Sequence, residues 1–137
     1  MAMTATPVYV QTPASAVGLV STAVTSRAKK STPFTNFVEI CAATTNGKRV
    51  RAITVKAAGT TAAGLVFIWL YDGTDCYLVD EITVDAVTAS ATVPSYQTTK
   101  IYDTTVNPPI DLAPTHKLYA TTTITQDINV VPWAFDY

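Results

Sequence analysis

The chain has 137 residues, enough for one domain with its own core, and carries a net charge of −1 with a pI near 5.6. That balance argues against nucleic acid as a partner, because phosphate binding needs a basic face, and no stretch approaches the ~18–20 apolar residues of a membrane span. Charged residues are 14 %, against roughly 25 % in an ordinary domain, so the surface is weakly protected against association, as suits a chain partly covered in an assembly.

Thr, Ala and Val dominate and strong helix formers are sparse, which predicts an all-β chain. Residues 1–35 read as a first segment, an N-terminal arm or a strand plus loop, with Pro7, Pro13 and Pro33, short β-type runs at 8–10 and 17–20, and the basic cluster Arg27, Lys29 and Lys30. Residues 14–28 are small and apolar enough to resemble a signal peptide. No basic stretch precedes them, so secretion by that route is not expected.

Residues 36–137 read as the sandwich domain. Residues 36–43 alternate, with Phe37 and Cys41 expected on one face and Val38 and Ile40 on the other. Thr45-Asn46-Gly47-Lys48 is a strong hairpin signal, because Asn-Gly accepts the positive φ of a tight turn. It predicts a return strand over 49–56 with Ile53 and Val55 inward and Val50 and Ala52 on the opposite face. Residues 65–71, Leu-Val-Phe-Ile-Trp-Leu-Tyr, are apolar on both faces and read as a central strand covered on both sides, by a second sheet or by a partner chain.

Asp72-Gly73-Thr74-Asp75 predicts a turn, and 76–84 a strand pairing back, with Leu78, Ile82 and Val84 sharing a face with Asp80. A short strand follows at 97–102, then a Pro-punctuated connection around Pro108 and Pro109. The strand at 117–125 points Leu118, Ala120, Thr122 and Ile124 inward, and the strand at 128–135 holds Pro132 at an edge or bulge. Short strands at regular spacing predict an antiparallel β-sandwich or jelly-roll-like barrel with an extended N-terminal arm.

The inventory for catalysis is thin. His116 is the one histidine and sits in a loop, no nucleophile motif is present, and Asp80 and Glu81 are adjacent strand residues that point to opposite faces. No enzyme activity, cofactor or metal is expected. Asp72 and Asp75 read as turn chemistry, and Cys41 and Cys76 as buried thiols in strands, with pairing across neighbouring strands left open. The candidate partner contacts are Arg27, Lys29 and Lys30, then Arg49 and Arg51 near the Asn-Gly turn, then Trp133, Phe135 and Tyr137. Those last three rings either complete the core or anchor a partner.

Three stretches together resemble small virion proteins of tailed bacteriophages: Asn46-Gly47-Lys48-Arg49-Val50-Arg51-Ala52-Ile53-Thr54-Val55, the Thr/Ala turn Gly59 to Gly64, and the aromatic strand ending in Asp72-Gly73. Pro109-Ile110-Asp111-Leu112, Leu118-Tyr119-Ala120 and the closing Ala134-Phe135-Asp136-Tyr137 fit the same pattern, with Phe135 where Gly is common. The resemblance spans about residues 36–137, and residues 1–35 have no counterpart in it. It implies a jelly-roll-like or related sandwich on the capsid surface, made in the host cytoplasm. The implied role is a decoration protein that binds the major capsid protein, forms a homo-oligomer, most commonly a trimer, and has no active site. Other locations in the particle (neck, tail or fibre) and a carbohydrate-binding, receptor-recognising module are the alternatives.

Overall fold

A computed structural model describes residues 12–15, 18–103 and 105–137. The β-type run at 8–10 lies outside the described residues. Among those described there are strands and no helix: β1 (Thr12–Ser15), β2 (Gly18–Val20), β3 (Lys30–Ser31), β4 (Val38–Ala42), β5 (Lys48–Ala57), β6 (Gly64–Tyr71), β7 (Asp75–Val84), β8 (Gln97–Ile101), β9 (Ile110–Leu112), β10 (Lys117–Thr122) and β11 (Ile128–Asp136). They make two antiparallel sheets packed as a β-sandwich, in keeping with the all-β expectation. In sheet A, β11 and β5 are central neighbours; β1 and β2 pair with the free side of β11, and β8 and β9 with the free side of β5. Sheet B runs β3-β7-β6-β10-β4.

The main core lies between the sheets and is built from the inward side of each strand. Val50, Ile53 and Val55 of β5 and Ile128 and Val130 of β11 meet Val66 and Ile68 of β6, Ile82 and Val84 of β7, and Leu118 and Ala120 of β10. Pro132 sits within β11 where its pairing passes from β2, which ends at Val130, to β1, which begins opposite Trp133. On that side its missing N–H interrupts no pair, while on the other side Pro132 stands opposite Ile53 of β5.

Three β-bulges change which residues face inward. The register of β5 on β11 skips a residue, so Trp133 faces Ala52 and Ala134 faces Val50. Arg51 and Ala52 then both point outward, and Val50 joins Ile53 and Val55 in the core rather than lying opposite them. The skip in β7 at Val79 sends Leu78 to the outer face of sheet B while Ile82 and Val84 stay inside. The skip in β4 at Ile40 puts Cys41 inward beside Ile40, away from Phe37. In each case a strict period of two places the wrong side chain, because the bulge adds one residue to the alternation.

Thr45-Asn46-Gly47-Lys48 does not close a hairpin. β4 belongs to sheet B and β5 to sheet A, so this turn carries the chain from one sheet to the other. Gly47 alone holds the positive φ, at 87°, and a Cβ there would approach the Leu112 carbonyl oxygen to 2.7 Å. The turn at 72–75 is a hairpin, as the sequence indicates: Asp72 Oδ1 accepts from the amides of Thr74 and Asp75 at 2.9 Å each.

The strand at 64–71 is covered on both faces, with Val66, Phe67 and Ile68 fully buried and Trp69 at 1 % exposure. One face meets sheet A. The other is covered by the chain itself. Residues 23–37 leave sheet A, bond to the end of β10 through Val24 N to Thr122 O at 2.7 Å, cross over Phe67, pair as β3 with β7, and return through Phe34 and Phe37. Phe37 packs on Trp69 at 4.8 Å between ring centres, and Phe34 meets Tyr71 edge-on at 5.5 Å. Thus residues 18–35, expected as part of an arm or of a strand plus loop, contribute strands to both sheets and a cover over sheet B.

Candidate partner-binding face

Among the described residues, sheet B is covered on its outside and sheet A is not. The outward side chains of β11 are Asn129, Val131, Trp133 and Phe135, and those of β5 are Arg49, Arg51, Ala52, Thr54 and Lys56. Leu19 on β2 and Ile101 on β8 flank them, by pairing with Asn129 and Ala52. Leu19, Ile101 and Trp133 are each half or more exposed, at 50 %, 55 % and 50 %. Large apolar side chains presented on one side of one sheet differ from scattered exposed ones, and mark a surface suited to contact.

Trp133 is held in place despite its exposure. Its Nε1 donates to Thr54 Oγ1 at 2.8 Å, and Thr54 Oγ1 lies 2.8 Å from Thr99 Oγ1 on β8. The ring is thereby fixed before any partner arrives, which lowers the ordering cost of binding. At the end of the face, Arg49 grips Asp111 in a two-pronged pair, Nε to Oδ1 at 2.7 Å and a terminal nitrogen to Oδ2 at 2.8 Å. Tyr137 donates to the same carboxylate at 3.2 Å. The Arg49 guanidinium holds the Asp111 carboxyl below the usual carboxylate range.

The structure divides the expected contact residues between opposite sides of the sandwich. Arg49, Arg51, Trp133, Phe135 and Tyr137 come together on or beside the open face of sheet A. Arg27, Lys29 and Lys30 lie on the segment that covers sheet B. Arg27 pairs with Glu81 at 2.7 Å and lies 5.1 Å from the Phe67 ring centre, and Lys29 pairs with Asp75 at 3.3 Å. These two cations clamp the cover to β7. Leu19, Thr54, Lys56 and Ile101 join the open face without having been singled out from sequence. The alternation in Thr99-Lys100-Ile101-Tyr102 carries the signal for Ile101, since Tyr102 is buried and its neighbour points out.

A second feature lies at the side of the sandwich where β7 approaches β8. Tyr102 bridges the sheets: its hydroxyl donates to Asp80 Oδ2 at 2.5 Å, and Lys100 reaches Asp80 Oδ1 at 2.6 Å. Burial, reinforced by Asp80, pushes the Tyr102 hydroxyl pKa upward. An open cleft of about 340 Å3 beside it is lined by Leu70, Val79, Pro108, Pro109 and Ile110 with Asp80 and Tyr102. Asp80 is already engaged by three donors, Tyr102, Lys100 and the Glu81 amide, so this cluster acts as a strut between sheets. Cys41 and Cys76 are both buried free thiols on opposite faces of sheet B, one in the main core and one in the aromatic cluster. Among the described residues, no group of three or more His, Cys, Asp or Glu is gathered to hold a metal ion.

Comparison of the chain with protein-family models and with curated proteins returns no match.

Proposed function

We propose that this chain is a structural virion protein of a tailed phage that binds the outside of the capsid and stabilises it. The observation that carries the reading is the asymmetry of the sandwich. One sheet is sealed by residues 23–37, while the other presents Leu19, Ile101, Val131 and a pre-fixed Trp133 to solvent. A stability role needs no cover on that face; a protein that works by covering another surface does need it open. The resemblance of residues 36–137 to small phage virion proteins supplies the class of partner, the major capsid protein. Binding to assembled capsid and not to its separated subunits would stabilise the particle through mass action, by an amount that grows with occupancy. A homo-oligomer, with a trimer as the expected order, would match the symmetry of such a lattice.

The test is co-sedimentation of the purified chain with capsids that lack it. Saturable binding at a copy number set by capsid symmetry is expected, together with a higher temperature of capsid disruption. Absence of binding would overturn the reading.

One observation favours a second reading, a carbohydrate-binding module. Trp133 is an exposed aromatic platform among Thr54, Thr99 and Asn129, whose hydroxyls and amide suit a sugar ring. A glycan array probed with the native chain and with Trp133→Ala separates the two.

A further inference from the structure

We infer that the open face of sheet A recognises an acidic protein surface, with Trp133 seated in an apolar patch and Arg51 and Lys56 meeting carboxylates at its rim. This rests on the capsid-binding reading and adds to it the chemistry of the surface met.

The charge pattern carries it. Of the nine Lys and Arg residues, six stand within ion-pair distance of a carboxylate of the same chain. Among the described residues, no carboxylate stands within that distance of Lys30, Arg51 or Lys56. Two of those three lie on β5 on either side of the Trp133 register position: Arg51 adjoins Ala52, the residue opposite Trp133, and Lys56 is opposite Asn129. In a chain with so few charges, two cations without an ion-paired carboxylate among the described residues stand on one open face. Nor does the face offer them an internal partner. Asp111 is held by Arg49 and Tyr137. Asp103, near enough to Arg51 to feel its charge, accepts at Oδ1 from the amides of Thr105 and Val106 and from the Thr105 hydroxyl. Lys56 gives one hydrogen bond to the Ser95 carbonyl at 3.2 Å and keeps its remaining donors.

The geometry sets what can fit. Residues five apart on a strand lie about 15 Å from one another, so the two cations flank the indole at a span that matches the core of a small interface. The bulge at Arg51 and Ala52 turns both outward, which puts Arg51 on the same open side as Trp133, next to the residue opposite it. A fixed aromatic anchor with charges at its edge is the arrangement in which the ring supplies affinity and the charges supply orientation and encounter rate. The aliphatic Leu19, Val131 and Ile101 around the ring favour a protein surface over a sugar, which offers little for them to bury against. Two free cations are too few for a phosphate backbone.

The experiment measures binding of the full chain to capsids lacking it, across a range of salt, for the native protein, Arg51→Glu/Lys56→Glu and Trp133→Ala. All three positions are at the surface, and equal melting temperatures establish that the variants are folded. The expected result is a loss of about tenfold or more for the charge-reversed variant with a shallower salt dependence. Trp133→Ala is expected to lose a similar factor at every salt concentration with the native slope. Native-like binding by both variants would overturn the inference and leave the capsid-binding reading standing. No binding by the native chain would overturn both, and glycan binding that depends on Trp133 would assign the face to a sugar instead.

Discussion

Cys41 and Cys76 show what burial does to a single side chain. Desolvation pushes the Cys41 thiol up to about 11, with Lys48 pulling the other way, and desolvation also takes Cys76 to about 11, with Asp72 and Asp75 adding to the rise. The thiolate is the reactive form, so both thiols should be inert at neutral pH. In the folded chain neither is expected to react with a thiol reagent within minutes, and both should react at once in denaturant; rapid labelling of the native protein would contradict the structure. Tyr102 is a second case. Its hydroxyl is one of two side-chain donors to Asp80, and the ring is buried. Tyr102→Phe leaves Asp80 Oδ2 without its hydroxyl donor, with Lys100 and the Glu81 amide still on Oδ1, and should cost about 2 kcal/mol in urea unfolding. The buried thiols were legible in sequence, because both fall in apolar strands. Their separation by the full thickness of sheet B was not, because the side on which Cys41 faces depends on a bulge at Ile40.

At the scale of elements, the strands of the sandwich were readable where alternation runs unbroken, as in β10 and β11, or where both faces are apolar, as in β6. The sheet to which each strand belongs was not readable. Asn46-Gly47 resembles a hairpin locally, yet β4 and β5 find their partners far along the chain and in different sheets, β10 and β11. Such pairing depends on non-local packing, to which turn chemistry is blind. The short β9 was hidden for another reason: Pro108 and Pro109 mark a connection, and only its last residues, Ile110 to Leu112, dock on the start of β5. The link between those two elements is Arg49 with Asp111, and it makes acid stability depend on their contact. The Asp111 carboxyl is held low in the folded state, so its contribution is fully present above the unfolded value near 4. It is lost as pH falls through the lower folded value. Half the Asp111 side chain is exposed, so the pair contributes about 0.5 kcal/mol after screening. Thermal unfolding at pH 7 and pH 3 is expected to show a smaller acid loss for Asp111→Asn than for the native chain. An equal loss would place the acid sensitivity in Asp72 and Asp103, whose carboxyls are also held low by hydrogen bonds from nearby backbone amides and, for Asp103, the Thr105 hydroxyl.

Over the whole molecule the two outer faces have opposite characters. The aromatic strand announced its double burial in sequence, but a second sheet, a partner and the chain's own residues 23–37 are equivalent at that level. The choice is made by Phe34, Phe37 and the pairs of Arg27 and Lys29 with β7, contacts across dozens of residues. The aromatic end was readable as core or anchor, and the register of β11 on β5 turns Trp133 and Phe135 outward. This division separates stability from binding in a way that one pair of variants can measure. Phe37→Ala removes a ring packed on Trp69 and opens the cover, and should cost about 2–3 kcal/mol in urea unfolding. Trp133→Ala removes a ring already half in water and one hydrogen bond to Thr54, and should cost no more than about 1 kcal/mol. The larger side chain is thus expected to matter less to the fold, because its neighbours are solvent. If Trp133→Ala proved as destabilising as Phe37→Ala, the indole would be serving the sandwich itself, and the open face would lose its standing as a surface kept for a partner. If the order is as expected, the largest ring on sheet A is retained at little benefit to folding, and its use lies in what the face covers.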